Sequence, residues 1–189
     1  MSILDRFSLN DQVALVTGAG SGIGKILAHG LAEAGADVAV ADLDLSGAEK
    51  TAASLNALGV RSLALKVDVT RAESANQMVE AVIAAWGQLD IAVNSAGISI
   101  QSAAEDLEED IWDAVVGVDL KGIYLCTRMR GRTMLARGMG SIINVASISG
   151  QIVNRPQLHA HYNAAKSGVI QYSRSCAAEW AARGVRVNT

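Results

Sequence analysis

A chain of 189 residues with half of its positions apolar holds material for one well-buried domain and not two. Its formal net charge of −3 gives no electrostatic reason to expect nucleic acid or an anionic membrane as a partner. Met1 to Asn10 is interrupted by the acid Asp5 where a signal peptide would be apolar, and no later run reaches the length of a membrane span, so a cytoplasmic protein is expected.

Val13-Ala14-Leu15-Val16 is a continuous apolar run of strand length, the pattern of a strand buried on both faces. It leads into Thr17-Gly18-Ala19-Gly20-Ser21-Gly22-Ile23-Gly24. Glycines at 18, 22 and 24 allow a tight turn and a close backbone approach to a pyrophosphate, and the N–H groups opening the next helix supply the positive end of a dipole. The turn departs from G-x-G-x-x-G, because Ile23 and Lys25 stand where the third glycine would fall. A helix is predicted from about Ile23 to Ala34, ending at Gly35. The next apolar run, Val38 to Ala41, ends in Asp42. An acid at that strand tip can accept from both hydroxyls of an adenosine ribose and would repel a 2′-phosphate, which favours NAD over NADP; a helix cap is the competing role, with Asp44 close by.

Ser46 to Leu58 reads as an alanine-rich helix stopped by Gly59, and Arg61 to Val67 as the third strand. That strand runs into Asp68-Val69-Thr70, where Asp68 either meets an adenine edge or caps the helix that follows. The helix, Arg71 to Trp86, carries the core stripe Ala75, Met78, Val79, Val82 and Ile83. Leu89 to Val93 is the fourth strand, and the small residues of Asn94-Ser95-Ala96-Gly97 would let a flat ring lie against the chain. From Glu105 to Arg137 the pattern is mostly helical and begins on an acidic cluster. Ile111 to Cys126 is apolar on more than one face, which predicts a subunit interface, with Val169 to Ala182 as its counterpart and Cys176 and Trp180 as contacts. Arg128, Arg130, Arg132 and Arg137 read as ordinary cations near a helix carboxyl end. Cys126 and Cys176 lack any Cys-x-x-Cys spacing and read as reduced core residues; His29, His159 and His161 form no ligand pattern, so no metal site is expected.

Gly140 to Val145 is the fifth strand, ending two residues before Ser147; Tyr162 to Ala182 is the next helix, and Val185 to Val187 opens a sixth strand. On a helix, residues four apart share a face, so Tyr162 and Lys166 act on one small volume. A free phenol ionises too high to move protons near neutrality, and a cation beside it favours the phenolate. With the Ser147 hydroxyl as a donor to a substrate oxygen, the trio suits carbonyl–alcohol interconversion. Strand and helix alternate throughout, which calls for a parallel sheet wound on both faces, a Rossmann-type α/β/α fold with its ligand at the carboxyl ends of the strands.

Thr17-Gly18-x-x-x-Gly22-x-Gly24, Asn94-x-Ala96-Gly97, Ser147 and Tyr162-x-x-x-Lys166, in that order, resemble the short-chain dehydrogenase/reductase family over essentially the whole chain. The resemblance implies hydride transfer between NAD(P) and a carbonyl or alcohol carbon. It makes Tyr162 the acid/base, Ser147 the group that polarises the substrate oxygen, and Lys166 a ligand of the nicotinamide ribose that also favours the ionised phenol. Gly18, Ser21, Gly22, Ile23 and Gly24 would hold the pyrophosphate, Asp42 and Leu43 the adenine ribose, Asp68 and Val69 the adenine, and Asn94, Ala96 and Gly97 the middle of the cofactor. Homodimers or homotetramers are implied as well.

Three departures follow. Ser95 replaces a second asparagine of the family. Asp119 stands where the family has a fourth catalytic residue, an asparagine that works through its backbone carbonyl and a helix kink, so reduced but real activity is expected. The family also continues past Asn188 with a substrate-covering segment and a further strand, so residues 1–189 are expected to be one domain, incomplete at the carboxyl end and lacking the last strand and helices. The polar loop Gln151 to Gln157 is similar to that of members acting on polyols and ketoses. The rival class is a catalytically impaired nucleotide-binding or interaction protein, suggested by Asp119 and the missing end.

Overall fold

The apolar runs at 13–16 and 38–41 become strands, and after each of the first five strands helical chain returns to the sheet. The computed structural model describes residues 3–189, so the part of the amino-terminal reading that rests on Met1 and Ser2 lies outside the described residues. In order the elements are β1 (Val13–Thr17), α1 (Gly22–Glu33), β2 (Asp37–Asp42), α2 (Leu45–Asn56), β3 (Ser62–Lys66), α3 (Ala72–Trp86), β4 (Ile91–Asn94), α4 (Glu109–Val116), α5 (Ile123–Arg137), β5 (Gly140–Asn144), α6 (Ala160–Trp180) and β6 (Val185–Asn188).

The six strands form one parallel sheet in the order β3-β2-β1-β4-β5-β6. The chain winds outward from β1 to β3, then crosses back to β4 on the other side of β1. The strand order therefore reverses between β1 and β4, the place where a parallel sheet opens a crevice above its carboxyl ends. Register puts Thr17 beside Asn94, and Asn94 beside Asn144, at that end.

Alternation along β1 divides the core in two. Val13 and Leu15 pack with α3, α5 and α6, and Ala14 and Val16 pack with α1 and α2. Val13, Leu15 and Val16 are at most 1% exposed; burial of this kind contributes on the order of 1.5–3 kcal/mol for each side chain. Over β5 and β6 the second face is open. Ile143 is exposed, and in β6 the buried Val185 and Val187 alternate with exposed Arg186 and Asn188. The expectation of strands buried on both faces thus holds for β1, β2 and β4, and β6 is covered on one side only.

The long helical stretch is not one helix. α4 and α5 are joined by a π-helical turn, Gly117–Gly122, with Asp119 inside it. The apolar character of Ile111 to Cys126 is partly spent within the chain: Val115, Ile123, Leu125 and Cys126 are buried, whereas Trp112 and Tyr124 face outward. Cys126 and Cys176 are free thiols in the core, so Cys176 is not the surface contact expected of it. Trp180 packs on the same core, its ring over Gly131, where an added Cβ would come within 2.5 Å. Among the described residues, no helix is long and apolar enough to cross a membrane.

Candidate active site

A cleft of about 750 Å³ opens above the carboxyl ends of β1 to β5. One end is the glycine turn. Gly18 has a φ of +68°, and a Cβ there would stand 2.7 Å from the Cα of Ala96. A Cβ on Gly24 would be 2.1 Å from the carbonyl oxygen of Gly18. These two glycines let the turn close on itself and lie against the end of β4. Ser21, Gly22, Ile23 and Gly24 all line the cleft. The α1 amino terminus has no side-chain cap and no acid in its first turn. Its leading N–H groups and the positive end of its dipole are thus left for an anion, and a pyrophosphate fits that position.

The two acids after β2 divide the roles that the sequence left open. Asp44 caps α2, accepting from the Ser46 N–H at 3.1 Å. Asp42 accepts from the Gly20 N–H at 2.8 Å and the Asp44 N–H at 3.0 Å, which ties the glycine turn to β2 with the carboxylate in the cleft wall beside Leu43. Asp68 is committed to a local turn. Its Oδ1 accepts from both the hydroxyl and the N–H of Thr70, and the hydroxyl contact holds its carboxyl below the usual range. Asp68 and Val69 line the cleft from the end of β3.

Asn94 corrects an expectation. Its side chain is buried beneath the cleft, where its Nδ2 donates to Asn144 Oδ1 at 2.7 Å and Thr127 Oγ1 at 3.1 Å, and its Oδ1 accepts from Arg130. The residues after it, Ser95 to Ser99, form the wall instead, including the expected Ala96 and Gly97. β4 turns even-numbered residues away from α1 and α2, so Asn94 points into the polar layer under α5 rather than up to a ligand.

At the other end of the cleft, Tyr162 and Lys166 lie one helical turn apart and both line it. Lys166 Nζ is 5.5 Å from the centre of the Tyr162 ring, and the His159 ring lies 5.2 Å from it. Lys166 donates to the Val145 carbonyl at 3.1 Å and sits 3.1 Å from Asp119 Oδ2. Asp119 Oδ1 accepts from the Ile98 N–H at 2.8 Å. Burial pushes the Asp119 carboxyl up from its ordinary value, against the pull of Lys166 and of that N–H. The helix is irregular at the residue expected to act through a kink, and the Asp119 side chain is in addition engaged with Lys166 and Ile98. Ser147 does not itself line the cleft; it follows the lining residue Ala146. Its Oγ accepts from the Ser149 N–H at 3.1 Å, which leaves its own hydroxyl proton to donate.

Ser99, Val118 and Val145 also line the cleft and were not singled out in the sequence. Each stands one or two positions from a singled-out residue, so extending the motifs that far would have found them. Two of the arginines read as ordinary cations near a helix end have specific buried or paired roles. Arg130 is wholly buried, and Arg137 binds the Leu89 carbonyl and Asp90. Cys126, Arg130 and Met134 follow at intervals of four, and that buried stripe was the available signal. Among the described residues no group of three acidic, histidine or cysteine side chains could hold a metal.

One cleft thus brings a glycine turn and an acid at one end together with a phenol and an ammonium at the other. The class it defines is that of NAD(P)-dependent oxidoreductases acting on CH–OH groups. The family model described as short chain dehydrogenase matches residues 12–189, and the chain belongs to that family. It is 42% identical over 189 residues to D-threitol dehydrogenase of Mycolicibacterium smegmatis, covering 100% of this chain and 72% of the relative. It is also 42% identical over 183 residues to galactitol 2-dehydrogenase (L-tagatose-forming) of Cereibacter sphaeroides, covering 96% and 70%. The crystal structure of a short-chain type dehydrogenase/reductase from Mycobacterium marinum superposes with a TM-score of 0.97 at 36% identity, covering 100% of this chain and 76% of that one. Of two further relatives, one is named for NADP and the other for NAD.

Proposed function

We propose that the chain binds NAD in this cleft and interconverts a secondary alcohol and a ketone, the substrate being a sugar alcohol or the matching ketose. The observation that carries the reading is the placement of Tyr162 and Lys166 in one cleft with the glycine turn and Asp42. When bound, the nicotinamide supplies the hydride acceptor or donor. In the oxidative direction the Tyr162 oxygen takes the hydroxyl proton while the Ser147 hydroxyl donates to the same substrate oxygen. Lys166, held by Val145 and Asp119, presents a cation to the phenol and to the ribose of the cofactor.

Preference for NAD is supported by the fixed Asp42 carboxylate, which would repel a 2′-phosphate. The polyol reading is supported by the relatives named for threitol and galactitol, and by Gln151, Arg155 and Gln157 standing exposed on the loop before α6. Asn154, from the same loop, is spent on Ser149 Oγ at 2.7 Å. Self-association through the outward faces carrying Trp112 and Tyr124, and a cytoplasmic location, belong to the same proposal. The test is a panel of sugar alcohols with NAD and with NADP, followed as reduced cofactor. Turnover of a tetritol or hexitol with NAD supports the reading. Silence across the panel, with a steroid or β-ketoacyl substrate reacting, removes the polyol class; cofactor binding without turnover of any alcohol favours the nucleotide-binding rival.

A further inference from the structure

The bulkiest side chain wholly removed from solvent among the described residues is a cation, Arg130 of α5. Its hydrogen bonds go to the Val93 carbonyl at 3.3 Å, to Asn94 Oδ1 and to Met78 Sδ at 3.5 Å, and its Nε has no partner. No carboxylate pairs with it: the ion pairs of the described residues join Arg61 to Asp37, Arg137 to Asp90 and Lys166 to Asp119. Burial pushes its guanidinium down to about 10, so it is still charged at neutral pH. A buried cation without a counterion costs stability, and a hydrocarbon of similar length would serve the α5 packing better.

What the guanidinium holds in return is the floor of the cleft. Both of its oxygen acceptors belong to the last two residues of β4, and Ser95, Ala96 and Gly97 follow directly in the cleft wall. From Asn94 the chain of bonds passes to Asn144, the last residue of β5, with Thr127 of α5 bridging the two amides. Asn144 in turn donates to Ser173 of α6 at 2.9 Å. The residue after Asn144 is Val145, whose carbonyl holds Lys166. One buried cation thus sets two strand ends that each adjoin a functional segment.

We propose that Arg130 is a positioning residue for the cofactor cleft: its guanidinium fixes the carboxyl ends of β4 and β5, and through them the Ser95–Gly97 wall and the Val145 carbonyl that holds Lys166. The inference rests on the reading of the cleft as a nicotinamide nucleotide site. It is tested with Arg130→Met and Arg130→Lys in the 189-residue chain, by thermal midpoint, amide hydrogen exchange and NADH fluorescence titration. The expected result for Arg130→Met is a midpoint within a few degrees of that of the unsubstituted chain, because relief of the buried charge offsets the acceptor left unpaired on Asn94. Exchange quickens about ten-fold at residues 94–98 and 144–147, and NADH binding weakens about ten-fold to a hundred-fold. Arg130→Lys, which keeps a donor for Asn94, lies between the two. Unchanged exchange at those segments with unchanged NADH affinity overturns the proposal. So does a lower midpoint with exchange quickened across the whole sheet, the mark of a purely structural role. If Arg130→Met does not fold, Arg130→Lys and Arg130→Gln decide by the same readings. Should the unsubstituted chain fail to bind NADH while the two segments still respond to Arg130→Met, the reading of the cleft falls and the setting of the strand ends stands.

Discussion

Lys166 and Asp119 form a buried ion pair in the wall of the cleft, with Nζ 3.1 Å from Oδ2 and the side chains 5% and 0% exposed. The lysine also donates to Val145, and the carboxylate also accepts from Ile98, so the pair joins α6 to the ends of β4 and β5 through the π-helical turn. Two elements on opposite sides of the reacting end are held together by one contact.

Lys166→Met strands the carboxylate in the interior and is expected to destabilise the fold by about 3 kcal/mol near neutrality. The pH dependence follows from the raised Asp119 carboxyl. Below the ordinary carboxyl range, about pH 4, both folded and unfolded states are protonated and the group has no effect. Above it the unfolded chain loses its proton first, so the folded state holds more protons and stability falls as pH rises toward the folded-state value. Without the lysine that fall is steeper and extends further. Urea unfolding of Lys166→Met from pH 4 to pH 8 should therefore show its deficit growing with pH, and the Asp119→Asn/Lys166→Met double variant should be nearly flat.

Asp119→Asn keeps an acceptor for the Ile98 N–H and removes the charge that compensates Lys166. The freed cation then acts more strongly on the phenol one turn away, and turnover should rise several-fold. Equal or lower kcat in Asp119→Asn would show that the ion pair does not restrain the reaction.

Gly24→Ala places a methyl 2.1 Å from the Gly18 carbonyl oxygen, and Gly18→Ala adds a positive φ to a clash with Ala96. Backbone on both sides leaves little room to yield, so each should cost about 2 kcal/mol or more in stability. NADH binding should be lost with it. Denaturant titration with and without NADH checks both effects; a Gly24→Ala chain as stable as the unsubstituted one would mean that the turn opens readily.

Asp42→Ala removes a fixed acceptor and the tie to Gly20. NAD should bind about ten-fold more weakly, and the ratio of kcat/KM for NADP over NAD should rise, since a charged hydrogen bond is lost for one cofactor and a repulsion for the other. An unchanged ratio would place the cofactor's selectivity elsewhere.

Local chemistry made much of this legible in the sequence. The glycine turn, the strand-end acid and the Tyr162–Lys166 spacing are each set within a few residues, and the fold brings all three to the cleft. What depends on partners distant in sequence was not legible. Asn94 looked like a ligand because it stands at a strand end, yet register with Asn144 and the approach of Arg130 turn it into scaffold. The ion pair of Asp119 with Lys166 was not legible either, because the π-helical turn brings together residues 47 positions apart. Arg130 read as an ordinary cation near a helix carboxyl end, although Cys126 and Met134, four residues to either side, are core.

The central claim is that Tyr162 moves the proton in a reaction whose cofactor is held at the other end of the same cleft. Tyr162→Phe tests it most directly: NADH affinity should stay within a factor of about two, while alcohol oxidation with NAD falls by about a thousand-fold, the usual contribution of a positioned acid or base. Oxidation by Tyr162→Phe at the unsubstituted rate would contradict the account.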